Sequence, residues 1–159
     1  MIRPANERDV PVIYQMLRES AAAQDAEDAL CVDPANLLED GFRANPPRFQ
    51  CLIAEVDGQA AGMALYYFDY STWISRSGVF LEDLYVRPAA RRRGVARALM
   101  VRMAEIASGA GSLRMAWLVL KENVGAAEFY GEIGAQHLSD WSVMRLGPEE
   151  LKRLAQSGS

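Results

Sequence analysis

Three consecutive arginines followed by a glycine form the segment with the clearest chemistry, Arg91-Arg92-Arg93-Gly94-Val95-Ala96. Gly94 lets a ligand approach the backbone closely, because it carries no side chain. The first amides of a helix have no partners within the helix, and the helix dipole favours an anion beside them. Arginine adds forked donors that match phosphate oxygens. The segment therefore predicts a cradle for a pyrophosphate group where a helix begins.

Other interpretations of the arginine segment stay open at this point. The arginines could form the solvated first turn of a helix, although positive charge at that end opposes the helix dipole. They could also contact nucleic acid, but no second basic run extends the patch. A Rossmann-type dinucleotide site is disfavoured because the sequence lacks a G-x-G-x-x-G motif.

The elements that position this segment follow from hydrophobic spacing and turn residues. A strand is predicted over 79–86 and a helix from Arg93 to about Ala107. The patterns also predict strands at 1–4, 49–56, 59–68, 113–120 and 141–146, helices at 9–22, 34–41 and 124–133 and from Pro148, and a polar loop over 69–78. Hairpins alternate with crossover helices, which predicts an α/β fold with a mixed sheet and helices on both faces.

Composition excludes several classes of protein. The chain has 159 residues, half of them hydrophobic, which suits a single compact domain. Its net charge of −4 argues against nucleic acid as the main partner. No apolar run reaches the ~18 residues of a membrane helix, and the N-terminus lacks a secretory h-region. Two cysteines and one histidine, without metal-ligand spacing, predict no metal site. We therefore expect a cytoplasmic protein without a membrane or nucleic-acid partner.

The arginine segment resembles the R/Q-x-x-G-x-G/A motif of the GCN5-related N-acetyltransferases (GNAT), which binds the pyrophosphate of acetyl-CoA. Ala96 stands at the last position. A second segment, 123–130, resembles the family's N-x-x-A-x-x-F-Y pattern and begins a helix after a strand. Segments 37–42, 66–68, 73–74 and 81–86 are similar to the diamine (spermidine/spermine) acetyltransferase branch, whereas 70–73 and 134–136 are closer to the thialysine Nε-acetyltransferase branch.

This resemblance implies the fold and the co-substrate. We expect a GNAT fold with a central, mostly antiparallel sheet of six to seven strands, in one domain over residues 1–154 with a flexible tail at 155–159. Acetyl-CoA is the implied co-substrate, no metal is expected, and the related enzymes are dimers. The implied acetyl-CoA contacts are Leu84, Tyr85, Val86, Arg91, Arg92, Arg93, Gly94, Val95, Ala96, Asn123, Ala126, Phe129 and Tyr130.

Acetyl transfer to an amine requires a base, because an alkyl ammonium with a pKa of ~10.4 is protonated at neutral pH. Glu82 is the predicted base, acting directly or through water. Adjacent strand residues point to opposite faces, so Glu82 and Asp83 enter one pocket only where the strand is distorted. The resemblance implies such a distortion. It also implies that Tyr130 protonates the leaving thiolate, and that a backbone N–H of 84–86 stabilises the carbonyl oxygen.

The acceptor site is predicted from acidic and aromatic residues that suit a cationic amine. The candidates are Glu27, Asp28, Ser71, Trp73, Glu82 and Asp83. The diamine branch carries an aspartate at the position of Ser71, so its absence favours a short amino-acid substrate such as thialysine over spermidine. The predicted function is acetylation of a small cationic amine. Acetylation of a protein or peptide, or acyl-CoA binding without turnover, remains an alternative.

Overall fold

A computed structural model describes residues 1–158, which form two compact units, 1–120 and from Lys121 onward. The first unit contains β1 (Ile2–Pro4), α1 (Val10–Ala22), α2 (Pro34–Leu38), β2 (Gln50–Val56), β3 (Gln59–Ser71), β4 (Arg76–Val86), α3 (Val95–Gly109) and β5 (Met115–Trp117). The second unit contains α4 (Val124–Glu132) and α5 (Pro148–Gln156).

The first unit is built on one mixed sheet. Over residues 1–158 it has five strands in the order β1-β2-β3-β4-β5. Neighbouring strands run antiparallel except β4 and β5, which are parallel. The α/β class and the mostly antiparallel sheet are thus confirmed, with five strands in place of the predicted six to seven.

Both faces of the sheet are buried. On one face, which we call the α1 face, Ile13 and Met16 of α1 pack with Ile53 and Met63 of the sheet. The alternate strand residues, such as Leu52, point to the opposite face and are also buried. Helix α3 packs there through residues such as Leu99 and Met103, which are fully buried. The layers therefore enclose the sheet, as the apolar spacing of the helices predicts.

The long β3–β4 hairpin corrects one prediction. The loop expected over 69–78 is wrong, because β3 continues to Ser71 and β4 begins at Arg76. Cross-strand pairs account for the extension: Tyr67 lies opposite Phe80 and Asp69 lies opposite Gly78. Such pairs stabilise a ladder even where the residues are polar.

The last predicted strand is also wrong. Residues 141–146 adopt no strand in the part of the chain that the structure describes, and this reduces the strand count. Apolar residues there favour a strand, but a strand forms only where a neighbouring strand takes up its backbone hydrogen bonds. Trp141 and Val143 are about 70% exposed (72% and 70%).

The C-terminal helix α5 reaches Gln156, so it includes the first two residues of the segment predicted as a tail. Ser159 lies outside the described residues. None of the helices in residues 1–158 has the length and apolar character needed to cross a membrane.

Candidate active site

A β-bulge in β4 places two adjacent carboxylates at the centre of the sheet. Asp83 lies opposite Leu65, and Leu81 lies opposite the next residue, Tyr66. Glu82 is therefore the extra residue of β4, unpaired in the ladder between β3 and β4 as described. A bulge bends its strand and changes the direction of its side chains. The strand distortion expected at Glu82 and Asp83 is thus present.

The charge of Glu82 acts on Asp83. Burial raises the pKa of Asp83 to about 6, and the nearby charge of Glu82 adds to this increase. Asp83 is half-buried, whereas Glu82 is exposed. Perturbed carboxylates of this kind are typical of binding and catalytic sites.

Beyond the bulge, β4 separates from β5. The described pairing of these two strands covers only Val79–Leu81 with Met115–Trp117. On the other edge of β4, the N–H of Arg87 donates to the carbonyl of Ala61 over 2.9 Å. The backbone N–H and C=O groups of successive residues point to alternate edges of a strand. Those of Leu84 and Val86 therefore point to the edge of β4 that is no longer paired with β5. A ligand can therefore form strand-like hydrogen bonds there.

The arginine segment follows directly and has the geometry of an anion cradle. Arg92 and Gly94 adopt left-handed backbone conformations, with φ of +58° and +75°, and α3 begins at Val95. Within residues 1–158, no side chain caps the first amides of α3, and apart from the two neighbouring residues no atom lies within 4 Å of the position that a Cβ of Gly94 would take. The amides are consequently accessible to a phosphate oxygen.

Two arginines of this segment also hold it in place. Nε of Arg91 donates to the carbonyl of Val86 over 3.1 Å, which links the cradle to the open end of β4. Arg93 contacts Asp57 at 3.4 Å, in an exposed ion pair. The predicted cradle residues thus lie beside the predicted strand residues 84–86 within the first unit.

The second unit contains the remaining acetyl-CoA candidates. Oδ1 of Asn123 accepts a hydrogen bond from the N–H of Ala126 at 3.2 Å, so Asn123 caps α4. The rings of Phe129 and Tyr130 lie 5.3 Å apart on the same helix. Burial raises the pKa of Tyr130, which keeps the phenol protonated and able to donate.

The acceptor candidates lie in different places. Ser71 is at the end of β3 opposite Arg76, whereas Trp73 is in the hairpin turn and 87% exposed. Glu27 and Asp28 belong to an exposed helical turn between α1 and α2. Of the predicted acceptor residues, the bulge brings together only Glu82 and Asp83.

The sequence did not predict a pair of stacked aromatic side chains, Tyr67 and Phe80, next to the bulge. The rings of Tyr67 and Phe80 stack across β3 and β4 with centroids 5.2 Å apart. Burial raises the pKa of Tyr67, and the charges of Glu82 and Asp69 raise it further. Along β3 the alternate residues 65, 67 and 69 share this surface: Leu65 is buried, whereas Tyr67 and Asp69 are half-buried. The surface was missed because the strand was predicted to end at Phe68. We call the surface from Asp83 to Asp69 on the α1 face the acceptor trough.

Metal ligands are not grouped in this protein as far as the structure describes it. No cluster of three or more histidine, cysteine, aspartate or glutamate side chains in residues 1–158 could hold a metal ion.

Comparison with known proteins assigns this arrangement to a family. Residues 12–135 match the model of the acetyltransferase (GNAT) family. The thialysine N-epsilon-acetyltransferase of Bos taurus is 34% identical over 98% of this chain and 96% of its own length. The spermidine/spermine N(1)-acetyltransferase-like protein 1 of Homo sapiens is 36% identical over 97% of this chain and 23% of its own length.

The fold itself is found in a solved structure. An integron cassette protein from the mobile metagenome of V. cholerae superposes with a TM-score of 0.81, covers 98% of this chain and 97% of its own, and is 21% identical.

Proposed function

This chain belongs to the acetyltransferase (GNAT) family, and on that premise we propose that it transfers an acetyl group from acetyl-CoA to the distal amine of a lysine-like amino acid. N-acetyl transfer to the amine of a small cationic substrate is the activity that family and relatives support. The amino-acid character of the substrate is the finer part of the proposal.

The proposal is based on the open edge of β4, which has negatively charged side chains at one end and positively charged side chains at the other. The carboxylates of Glu82 and Asp83 stand at one end, and the arginine cradle stands at the other, tied to Val86 by Arg91. Acetyl-CoA, when bound, supplies a thioester as the electrophile. Its phosphates suit the amides at the start of α3, and its amide-containing arm suits the open edge.

We assign the proton transfer to Glu82. It is exposed, so a cationic amine can reach it directly or through one water molecule, and its charge is adjacent to that of Asp83. Asp83, with a pKa of about 6, is ionised at neutral pH and attracts the ammonium form of the substrate. Glu82 then accepts the proton that the amine must lose before it attacks.

Backbone and tyrosine donors complete the proposed chemistry. An N–H of Leu84 or Val86 stabilises the negative charge that develops on the carbonyl oxygen, since both turn toward the open edge. Tyr130 donates its proton to the leaving thiolate, whose pKa of ~8.5 lies below that of a phenol. Burial, which raises the pKa of Tyr130, keeps the phenol protonated until the thiolate leaves. Asn123 caps α4 and contributes to the acetyl-CoA contacts.

Residues 1–154 are proposed to act as one domain, because the family match over 12–135 crosses the boundary between the two compact units. A homodimer is proposed because the second unit exposes large apolar side chains, among them Trp141, Val143 and Met144. Large apolar side chains that are exposed and close together in the chain suit a protein interface. The free thiols Cys31 and Cys51 support a reducing, cytoplasmic location.

A thiol-release assay tests this function. Acetyl-CoA is incubated with the protein and, separately, lysine, thialysine, ornithine, spermidine, diamines and short peptides. We expect release with the amino acids at the highest kcat/KM. Release with peptides alone would favour protein acetylation, and acetyl-CoA binding without release would favour a non-catalytic module.

A further inference from the structure

A second group of charged side chains lies at the end of the acceptor trough away from the bulge. Arg114, which precedes β5, donates from Nη2 to Oδ2 of Asp69 in an ion pair. Asp69 lies opposite Gly78 in the hairpin. The proposed reaction leaves this pair without a role.

Gly78 provides the space that the pair occupies. A Cβ at this position would lie 2.8 Å from Nε and 2.9 Å from Cγ of Arg114, and it would overlap Oδ1 of Asp69. Both side chains therefore lie directly over the glycine, on the face of the sheet where a side chain of residue 78 would stand. Because glycine has no side chain, the ion pair of Asp69 and Arg114 can lie against the backbone at this position.

The ion pair has unused hydrogen-bonding capacity. A guanidinium has five N–H donors, and the hydrogen bonds described for Arg114 within residues 1–158 use one of them. Oδ1 of Asp69 is buried and has no hydrogen-bond partner in that part of the chain. The side chain of Arg114 is 43% exposed, so a ligand can reach its remaining donors.

The two ends of the trough carry opposite charge. Arg76 lies opposite Ser71, next to the pair, so two arginines accompany the single carboxylate of Asp69. Glu82 and Asp83 make the other end anionic. A ligand that complements both ends carries an ammonium group at one end and a carboxylate at the other.

The length of the trough fits such a ligand. Leu65, opposite Asp83, precedes Asp69 by four positions on β3, which is about 13 Å along a strand. In extended lysine, the side-chain nitrogen and the carboxylate oxygen are about 8 Å apart. Hydrogen bonds of ~2.9 Å at both ends extend this span to about 14 Å.

We propose that Arg114, positioned by Asp69, binds the α-carboxylate of the substrate and thereby selects amino acids with a distal amine over diamines and polyamines. The inference rests on the proposed function, since it assigns a role within the same acceptor site. A carboxylate forms two parallel hydrogen bonds with a guanidinium. The second ammonium group of a polyamine meets a like charge there and is repelled.

The test compares lysine with cadaverine, the diamine that differs from it only by the carboxylate. In wild type, kcat/KM is expected to be higher for lysine. Arg114→Gln should lower kcat/KM for lysine about ten- to a hundredfold, mainly through KM. The same variant should raise kcat/KM for cadaverine, because the carboxylate of Asp69 becomes available to bind the second ammonium group. Arg153→Gln, which breaks the exposed pair with Glu150 on α5, is the matched control and should change neither value.

Gly78→Ala is a second variant that moves the pair without removing a charge. The three atoms that the new methyl group meets belong to the side chains of Asp69 and Arg114 and none to the backbone, so the pair should shift and KM for lysine should rise. The Tm of the variant checks that it still folds. An active Arg114→Gln or Gly78→Ala enzyme with an unchanged ratio of lysine to cadaverine overturns the inference. A wild-type enzyme that acetylates diamines but rejects lysine overturns it as well and leaves acetyl transfer intact. Absence of turnover with every amine contradicts the proposed function itself, and this inference with it.

Discussion

Glu82 is unpaired in the described ladder between β3 and β4, whereas the next residue, Asp83, lies directly opposite Leu65. This relationship places two adjacent carboxylates close enough for the charge of one to raise the pKa of the other. A regular strand would have sent them to opposite faces. The bulge thus creates a site with one exposed and one half-buried carboxylate.

The activity should depend on pH through Asp83. As pH falls through about 6, Asp83 becomes neutral and no longer attracts the ammonium group, so kcat/KM should fall. Asp83→Asn should remove this limb from a pH–rate profile and raise KM. Glu82→Gln should shift the limb to lower pH, because the like charge is gone, and should lower kcat by ~10²–10⁴. A profile without a limb near pH 6 would contradict the role of Asp83.

Acetyl-CoA should raise the Tm of wild type, because it binds only the folded protein. Gly94→Asp should abolish this increase, since it places a negative charge at the anion cradle. Gly94→Ala is the matched control: it imposes the same strain at φ +75° without the charge, and should retain part of the shift. An equal shift in wild type and Gly94→Asp, measured by thermal denaturation, would locate the phosphates elsewhere.

Tyr130→Phe should lower kcat by roughly 10²–10⁴ while the Kd of acetyl-CoA changes little, because the ring remains and the proton donor is lost. Tyr66→Phe is the control. It removes a part-buried hydroxyl that donates to Gln50 of β2 at 2.9 Å and has no part in the proposed proton transfers. Steady-state kinetics with both variants measures the effect of each hydroxyl on kcat. Undiminished turnover by Tyr130→Phe would mean that another group protonates the thiolate.

Ser71→Asp should shift the ratio of kcat/KM toward spermidine, because it adds an anion at the far end of the trough. The shift should be only several-fold, since Arg76 lies opposite and partly neutralises the new carboxylate. Ser71→Asn, similar in size and uncharged, should leave the ratio as it is. Measuring spermidine and thialysine with all three proteins tests this. If Ser71→Asp and Ser71→Asn behave alike, charge at this position does not set specificity.

The parts of the fold that depend on local sequence were predictable. The arginine cradle could be located because its signals, a glycine and the start of a helix, lie within a few neighbouring residues. Gly94 indeed has a positive φ. The hairpin at Asp57-Gly58 and the helices have similarly local signals.

Features that depend on pairing between distant segments were not predictable. The extension of β3 to Ser71 depends on Gly78 and on Arg114, which is remote in sequence. The apolar residues of 141–146 indicated a strand, but nothing in the sequence reveals whether a neighbouring strand is available. The bulge at Glu82 follows from register, which two adjacent acidic residues do not specify. The distortion there was anticipated only through the family resemblance.

The most direct test of the central claim is to locate the acetyl group on the product. Wild-type protein is incubated with acetyl-CoA and thialysine or lysine, and the product is fragmented in a mass spectrometer. We expect one acetyl group on the side-chain nitrogen, with an equal amount of thiol released and a free α-amine. Acetylation of the α-amine, or no acetylated amino acid while peptides are modified, would contradict it.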